Sequence, residues 1–332
     1  MGRDVQSYEK FHYALRPSKQ VERKLLIETL HYLGHNAGYS LMGYTYLGFG
    51  SVYYTDFILL HKYLYVNHMI CIEGSDIPKR MRFNRPYRFV NLQMGKVSKI
   101  LPRIDFRIKY IVWLDYDYGI DYGYMEEETS ILDDVSAFVS KLSPGSLFIV
   151  TSEAEPRISN RKLNDRLSEE QRVVALLDSL NRNCSNLFYP PFKKGDITKK
   201  GMPLIVTKAL REQITKSVLS NPQGLYFHQL FNFVYADGRQ MVTVGGILDF
   251  PEKRQILKRS GVFRQPCITT GAKPKEISVP PLTIREKEAI DAQIEEKCEP
   301  AKIKLEFELK RKLLRNYLKY YKHYPSFHES IL

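Results

Sequence analysis

The chain is predicted to fold as a doubly wound α/β domain built on a mostly parallel sheet. Three observations predict it. Residues 44–60 pass from the β-formers Tyr44, Thr45, Tyr46 and Leu47 through Gly48 and Gly50 into a helical stripe of Phe57, Leu60 and Leu64. Short apolar runs then recur with helical stretches between them, and two close on an acid, Glu73 and Asp115. Last, residues 226–248 read as an antiparallel hairpin turning at Asp237-Gly238.

The elements follow in order. Residues 1–43 form an N-terminal helical segment, with Ser18 capping a helix over 19–33 whose stripe is Val21, Leu25, Ile27, Leu30 and Leu33. The strand at 44–47 breaks at Gly48 and Gly50, and a helix covers 52–65. His68 to Glu73 is a buried parallel strand. A short helix over 77–84 stops before Pro86, and Tyr87 to Gln93 is a third strand. Met94 and Gly95 turn into a helix at 96–101, ended by Pro102. Tyr110 to Asp115 is a fourth strand, followed by a helix from Glu126 to Leu142 with acids in its first turn. Ser146 to Thr151 is a fifth strand.

A helical insert at about 154–225 interrupts the alternation, with helices over 165–180 and 207–219 and a proline loop at 189–195. The hairpin follows and completes a seven-stranded sheet over residues 44–250. Beyond it, 251–332 reads as a proline-containing linker and basic C-terminal helices. Thr283 and Glu286 make a capping box, and a basic amphipathic helix is expected over 301–324.

The 332 residues carry a net charge of +13, a field that attracts nucleic acid, an acidic membrane surface or an acidic protein. A merely soluble basic protein has the same composition. The basic C-terminal helix is the element expected to meet nucleic acid or an acidic partner, although its leucines suit packing on the body equally. Cys71, Cys184, Cys267 and Cys298 lie far apart, with neither zinc nor CxxC spacing, which fits reduced thiols in a cytoplasm. No run approaches the roughly 20 apolar residues of a membrane span, so no membrane role is expected.

With these elements in place, residues 44–151 and the hairpin at 226–248 resemble a class I, Rossmann-like, S-adenosylmethionine-dependent methyltransferase, most nearly an O-methyltransferase. The resemblance implies that Tyr46, Gly48, Gly50 and Ser51 surround the methionine part of the cofactor. It implies that Glu73 binds the ribose hydroxyls and that Gln93 and Met94 lie beside the adenine. Asp115 then stands at the cofactor, where the family places a residue facing the methyl acceptor or a metal. The runs Tyr-Leu-Gly-Phe-Gly-Ser and Trp-Leu-Asp-Tyr-Asp also resemble an uncharacterised bacterial methyltransferase-like group linked to mobile and antiviral gene clusters.

The chain departs from the family at two positions. Tyr46 stands where an acid is usual, and Val52 where a third glycine is usual. Asp56 is a candidate replacement for that acid, or simply a helix N-terminal acid favoured by the dipole.

Asp115 and Asp117 suit either Mg²⁺ binding or general-base catalysis, and both are named as catalytic candidates. The alternative is that one is a structural turn acid. Arg80, Arg82, Asn84 and Arg85 either meet a phosphate-bearing substrate or solvate a helix. No histidine falls in a metalloprotease or triad pattern, and no metal site is assigned. Without an Asn/Asp-Pro-Pro-Tyr/Phe motif after the fourth strand, methylation of an exocyclic base amine is disfavoured. The expected function is methyl transfer to a macromolecule (RNA, DNA or protein). The alternative is an inactive methyltransferase-like scaffold of a bacterial defence-type complex. A nucleotide-dependent oxidoreductase is disfavoured by the terminal hairpin.

Overall fold

Residues 16–122, 129–188, 191–295 and 299–325 are described by the computed structural model. Helix α1 (Pro17–Asn36) opens the fold and buries Val21, Leu25, Leu26, Leu30 and Leu33. It starts two residues earlier than expected, with Pro17 in its first turn, where the missing N–H costs nothing. Ser18 is not its cap. Asp237, at the tip of the hairpin, accepts from the N–H of Ser18 at 3.2 Å and of Lys19 at 2.8 Å, capping the helix across the fold.

Strand β1 (Thr45–Phe49) runs through Gly48 and breaks only at Gly50. It is followed by α2 (Thr55–Leu64), β2 (His68–Glu73), α3 (Pro78–Phe83), β3 (Val90–Met94) and α4 (Val97–Ile100). β4 (Tyr110–Gly119) continues past Asp115, where it was expected to end. α5 (Ile131–Val139) starts at a Ser130–Asp133 capping box, and the expected start at Glu126 lies outside the described residues. β5 (Ser146–Glu153) is buried along its whole length.

The insert holds α6 (Arg161–Arg166), α7 (Glu169–Asn183) and α8 (Met202–Leu219). β6 (Tyr226–Ala236) and β7 (Gln240–Asp249) form the expected hairpin around Asp237-Gly238. Then come α9 (Lys253–Ser260), β8 (Lys275–Ile277), α10 (Ile284–Asp291), which begins at the expected Thr283–Glu286 box, and α11 (Arg311–Tyr320).

Among the described residues the sheet has eight strands, where seven were expected, in the order β3-β2-β1-β4-β5-β7-β6-β8. β1 to β5 are mutually parallel, β7 is antiparallel to both β5 and β6, and β8 runs parallel to β6. The extra strand is three residues inside the stretch expected to be a linker. Its short span between prolines left no period to read.

Alternating side chains feed two apolar layers. Tyr46, Ile111, Trp113 and Ile149 face one layer with α1, α2, α9, α10 and α11; Leu47, Val112, Leu114 and Val150 face the other with α5, α7 and α8. Residues 301–309 are not helical as expected. Ile303, Leu305, Phe307 and Leu309 point to the first layer while Lys302, Lys304, Glu306 and Glu308 are exposed. That period of two marks an extended strap. The apolar face of α11, with Leu314, Tyr317 and Tyr320, is buried on the body.

Candidate active site

The parallel register aligns one row of residues along the carboxyl edge of the sheet. Gly48 lies opposite Cys71 of β2 and Trp113 of β4, and Glu73 lies opposite Met94 of β3. Two residues further along each strand, Gly50, Glu73 and Asp115 therefore fall level with Met94. This edge, where strands hand over to loops, is where α/β sheets bind ligands.

Gly50 turns the chain out of β1, its N–H donating to the carbonyl of Ile72 at 2.8 Å. A side chain there would have to displace its neighbours. A Cβ would stand 2.6 Å from Cys71 Sγ, 2.9 Å from Met81 Cε and 3.2 Å from Glu73 Oε2. The turn closes at Tyr54, whose N–H donates to the Ser51 carbonyl at 3.1 Å. Tyr54 takes a left-handed φ of 47°, a costly conformation for a bulky residue. Its hydroxyl donates to the Met81 carbonyl at 3.0 Å and bolts α3 to the turn. Ser51 Oγ stays within the turn, 3.4 Å from the N–H of Tyr53.

Glu73 Oε1 accepts from the Ser75 N–H at 2.9 Å, and Oε2 faces Gly50. Burial pushes the carboxyl up, the backbone N–H groups of Ser75 and Gly74 oppose that, and Asp117 adds to it. The loop after β3 is tied to the same point, Gly95 N–H donating to the Glu73 carbonyl at 2.9 Å. Gln93 is half-buried and donates to Asn91 Oδ1 at 2.8 Å.

Asp115 is not a free strand-end acid. Lys19 of α1 reaches it, Nζ to Oδ1 at 2.9 Å, and also lies 2.9 Å from Glu22 Oε2 and 3.0 Å from the Tyr235 hydroxyl. The ammonium sits over the Trp113 ring, 4.7 Å from its centroid. Burial alone would lower the Lys19 pKa, but Asp115 and Glu22 reverse this and hold it well above the usual range. One ammonium thus faces two carboxyl groups. Burial pushes the fully buried Glu22 upward, and Glu22 also accepts from the Thr243 hydroxyl.

Asp117 is exposed on the same strand, and its backbone carbonyl accepts from Arg239 at 3.3 Å. Tyr116, between the two acids, points to the opposite layer.

Tyr46 folds its phenol back over Gly48, where a Cβ would collide with the hydroxyl oxygen. Burial, then Asp56 and Asp115, raise its pKa well above the phenol range, so it stays protonated. Asp56 is taken up by the buried Arg23, Nε to Oδ1 at 2.6 Å. It therefore does not stand in for the missing acid at position 46. The site residues unforeseen in the sequence are Lys19, Glu22, Arg23 and Tyr235. Their one signal was spacing: 19, 22, 23, 26 and 30 share a helical face, which mixes charges with Leu26 and Leu30.

A ribose diol needs a carboxylate beside bare backbone, and Glu73, with Oε2 facing Gly50, is such a carboxylate. Among the described residues, no group of three His, Cys, Asp or Glu side chains is placed to hold a metal ion. No described helix is long and apolar enough to cross a membrane.

The family model described as "Putative O-methyltransferase" matches residues 11–332. No curated protein matches the chain. Among solved structures the chain is similar to Trm1 from Pyrococcus horikoshii in complex with S-adenosyl-L-methionine, at TM-score 0.44 and 9% identity, covering 76% of this chain and 61% of that one. It therefore spans less than two thirds of that structure's length. It is also similar to the O-methyltransferase from Bacillus cereus in complex with SAH, at TM-score 0.32 and 14% identity, covering 70% of this chain and 81% of that one.

Proposed function

This chain belongs to the O-methyltransferase family that its residues 11–332 match, and from that premise we propose that it transfers a methyl group from S-adenosylmethionine to an acceptor on a macromolecule. The family match carries the methyl transfer, and the net charge of +13 supports a macromolecular acceptor. When bound, the cofactor supplies a methyl group already activated on a sulfonium, so holding donor and acceptor in line accounts for much of the rate.

The chain's own residues divide that work. Glu73 accepts from the ribose hydroxyls through Oε2, and Gly50 keeps the approach clear of a side chain. Met94 and Gln93 flank the adenine side. Asp115, held by Lys19 at 2.9 Å, supplies a fixed carboxylate at this edge. Asp117, exposed two residues further along the same strand, takes a proton from the acceptor. Cys71, Cys184 and Cys267 are buried free thiols, which suits a reducing cytoplasm.

Calorimetric titration with S-adenosylmethionine and S-adenosylhomocysteine tests this. Micromolar binding, lost in Glu73→Ala, is expected. No binding to the folded wild type would move the weight to a second reading, a methyltransferase-like scaffold without turnover. One specific observation favours that scaffold: the phenol of Tyr46 fills the space over Gly48 in place of the usual acid.

A further inference from the structure

β3 is the edge strand of the sheet, at the opposite end from β8, and the sequence around it is strongly basic. From Phe57 to Ile72 and again from Ile77 to Ile104 the sequence contains no Asp or Glu, while 77–104 holds eight lysines and arginines. Those on α3 and in the turn after it, including Arg82, Arg85 and Arg88, are exposed.

Aromatic rings are interleaved with these cations. Tyr87 and Phe89 stack at 5.0 Å with an interplanar angle of 11°, and His61 leans on both at 4.5 and 4.9 Å. Phe83 projects from α3 and is 89% exposed, which no packing role explains. The exposed Phe83 and Phe89, with the half-buried Tyr87 behind Phe89, sit among arginines and match what single-stranded polynucleotides need: π-faces for bases and cations for the phosphates between them.

We propose that the β3 edge, with Arg82, Phe83, Arg85, Tyr87, Arg88 and Phe89, is a binding surface for single-stranded nucleic acid. This deepens the methyl-transfer reading and, as a statement about substrate, rests on it. The surface is joined to the candidate active site. α3 carries Met81, whose Cε packs beside Gly50 and whose carbonyl is held by Tyr54. A strand lying along α3 therefore reaches the carboxyl edge at Glu73. A membrane surface fits less well. α3 is six residues long, and Met81 is buried, so it lacks the broad apolar face of an interfacial helix.

Fluorescence anisotropy with labelled mixed-sequence 20-nucleotide RNA and DNA, without cofactor, tests the surface. Phe83→Ala is expected to weaken binding about tenfold. Arg82→Glu/Arg88→Glu should weaken it further and flatten the salt dependence by roughly 0.7 in log–log slope for each phosphate that is no longer neutralised. These exposed substitutions should leave the thermal melt unchanged. Lys312→Glu/Arg315→Glu on the exposed face of α11 should bind as wild type. The proposal is overturned if the β3-edge variants bind as wild type, if the α11 variant alone loses binding, or if only anionic phosphatidylglycerol vesicles are bound. Oligonucleotide binding by a folded wild type that does not bind S-adenosylmethionine would sink methyl transfer while supporting the surface.

Discussion

The Nζ of Lys19 lies 2.9 Å from Oδ1 of Asp115, joining the first turn of α1 to the strand at the centre of the candidate site across 96 residues of sequence. Lys19 is 4% exposed and Asp115 22%. A buried pair of this kind contributes little net stability compared with apolar packing, but removing one partner strands the other charge. The pair therefore fixes where α1 sits over the carboxyl edge.

Lys19→Met is expected to cost about 3–5 kcal/mol in urea denaturation at pH 7, because Asp115 and Glu22 lose their common counter-charge. Adding Glu22→Gln should recover part of the loss, since it removes one of the two stranded carboxylates. A Lys19→Met protein as stable as wild type would show that the ammonium does not carry the packing of α1.

How much of this was readable depends on whether a residue's partner is local. The hairpin at Asp237-Gly238 and the capping box at Thr283 and Glu286 are local, and both stand where the pattern put them. Gly50, Glu73, Met94 and Asp115 reach one edge because strand period and order were readable. Lys19 and Glu22 were missed because their partners lie on β4, β6 and β7, and nothing in a helical wheel names a distant strand. The strap at 303–309 was misread as helix because Leu305, Leu309 and Leu313 also recur every four residues, masking the alternation that governs burial.

Asp237 caps a helix from which it is 218 residues distant. Asp237→Ala should destabilise the fold by about 0.5–2 kcal/mol, and Asp237→Asn by less, because an amide oxygen still accepts from the Lys19 N–H. Equal losses from both would mean that charge at the helix N-terminus, rather than the hydrogen bond, is what matters.

Gly50→Ala forces a methyl group against Cys71 Sγ, Met81 Cε and Glu73 Oε2. Because Met81 and Glu73 can shift, the cost in stability should be about 1–3 kcal/mol. Displacing Glu73 should also weaken S-adenosylmethionine binding in calorimetry. Gly246→Ala serves as the comparison, since its Cβ would meet the backbone of His228 and Gln229. That variant should lose more stability yet keep the cofactor affinity of whatever fraction folds.

Asp134 offers a pH test of burial at the layer beneath the site. It lies in α5, is 5% exposed, and accepts from the Tyr116 hydroxyl at 2.6 Å. Burial pushes its carboxyl from 3.8 up to about 6, against the opposing hydrogen bond from Tyr116. The folded state therefore binds the proton more tightly than the unfolded chain. Its contribution to stability is fully present below about pH 4 and is lost as pH rises through about 6. The difference between 3.8 and about 6 amounts to about 3 kcal/mol, at about 1.4 kcal/mol for each pH unit. Asp134→Asn cannot ionise, so its stability relative to wild type should be most favourable at pH 7 and should decline on acidification to pH 4. Urea midpoints of the two proteins measured across that range decide the matter, and a constant difference would show that Asp134 does not titrate as its burial requires.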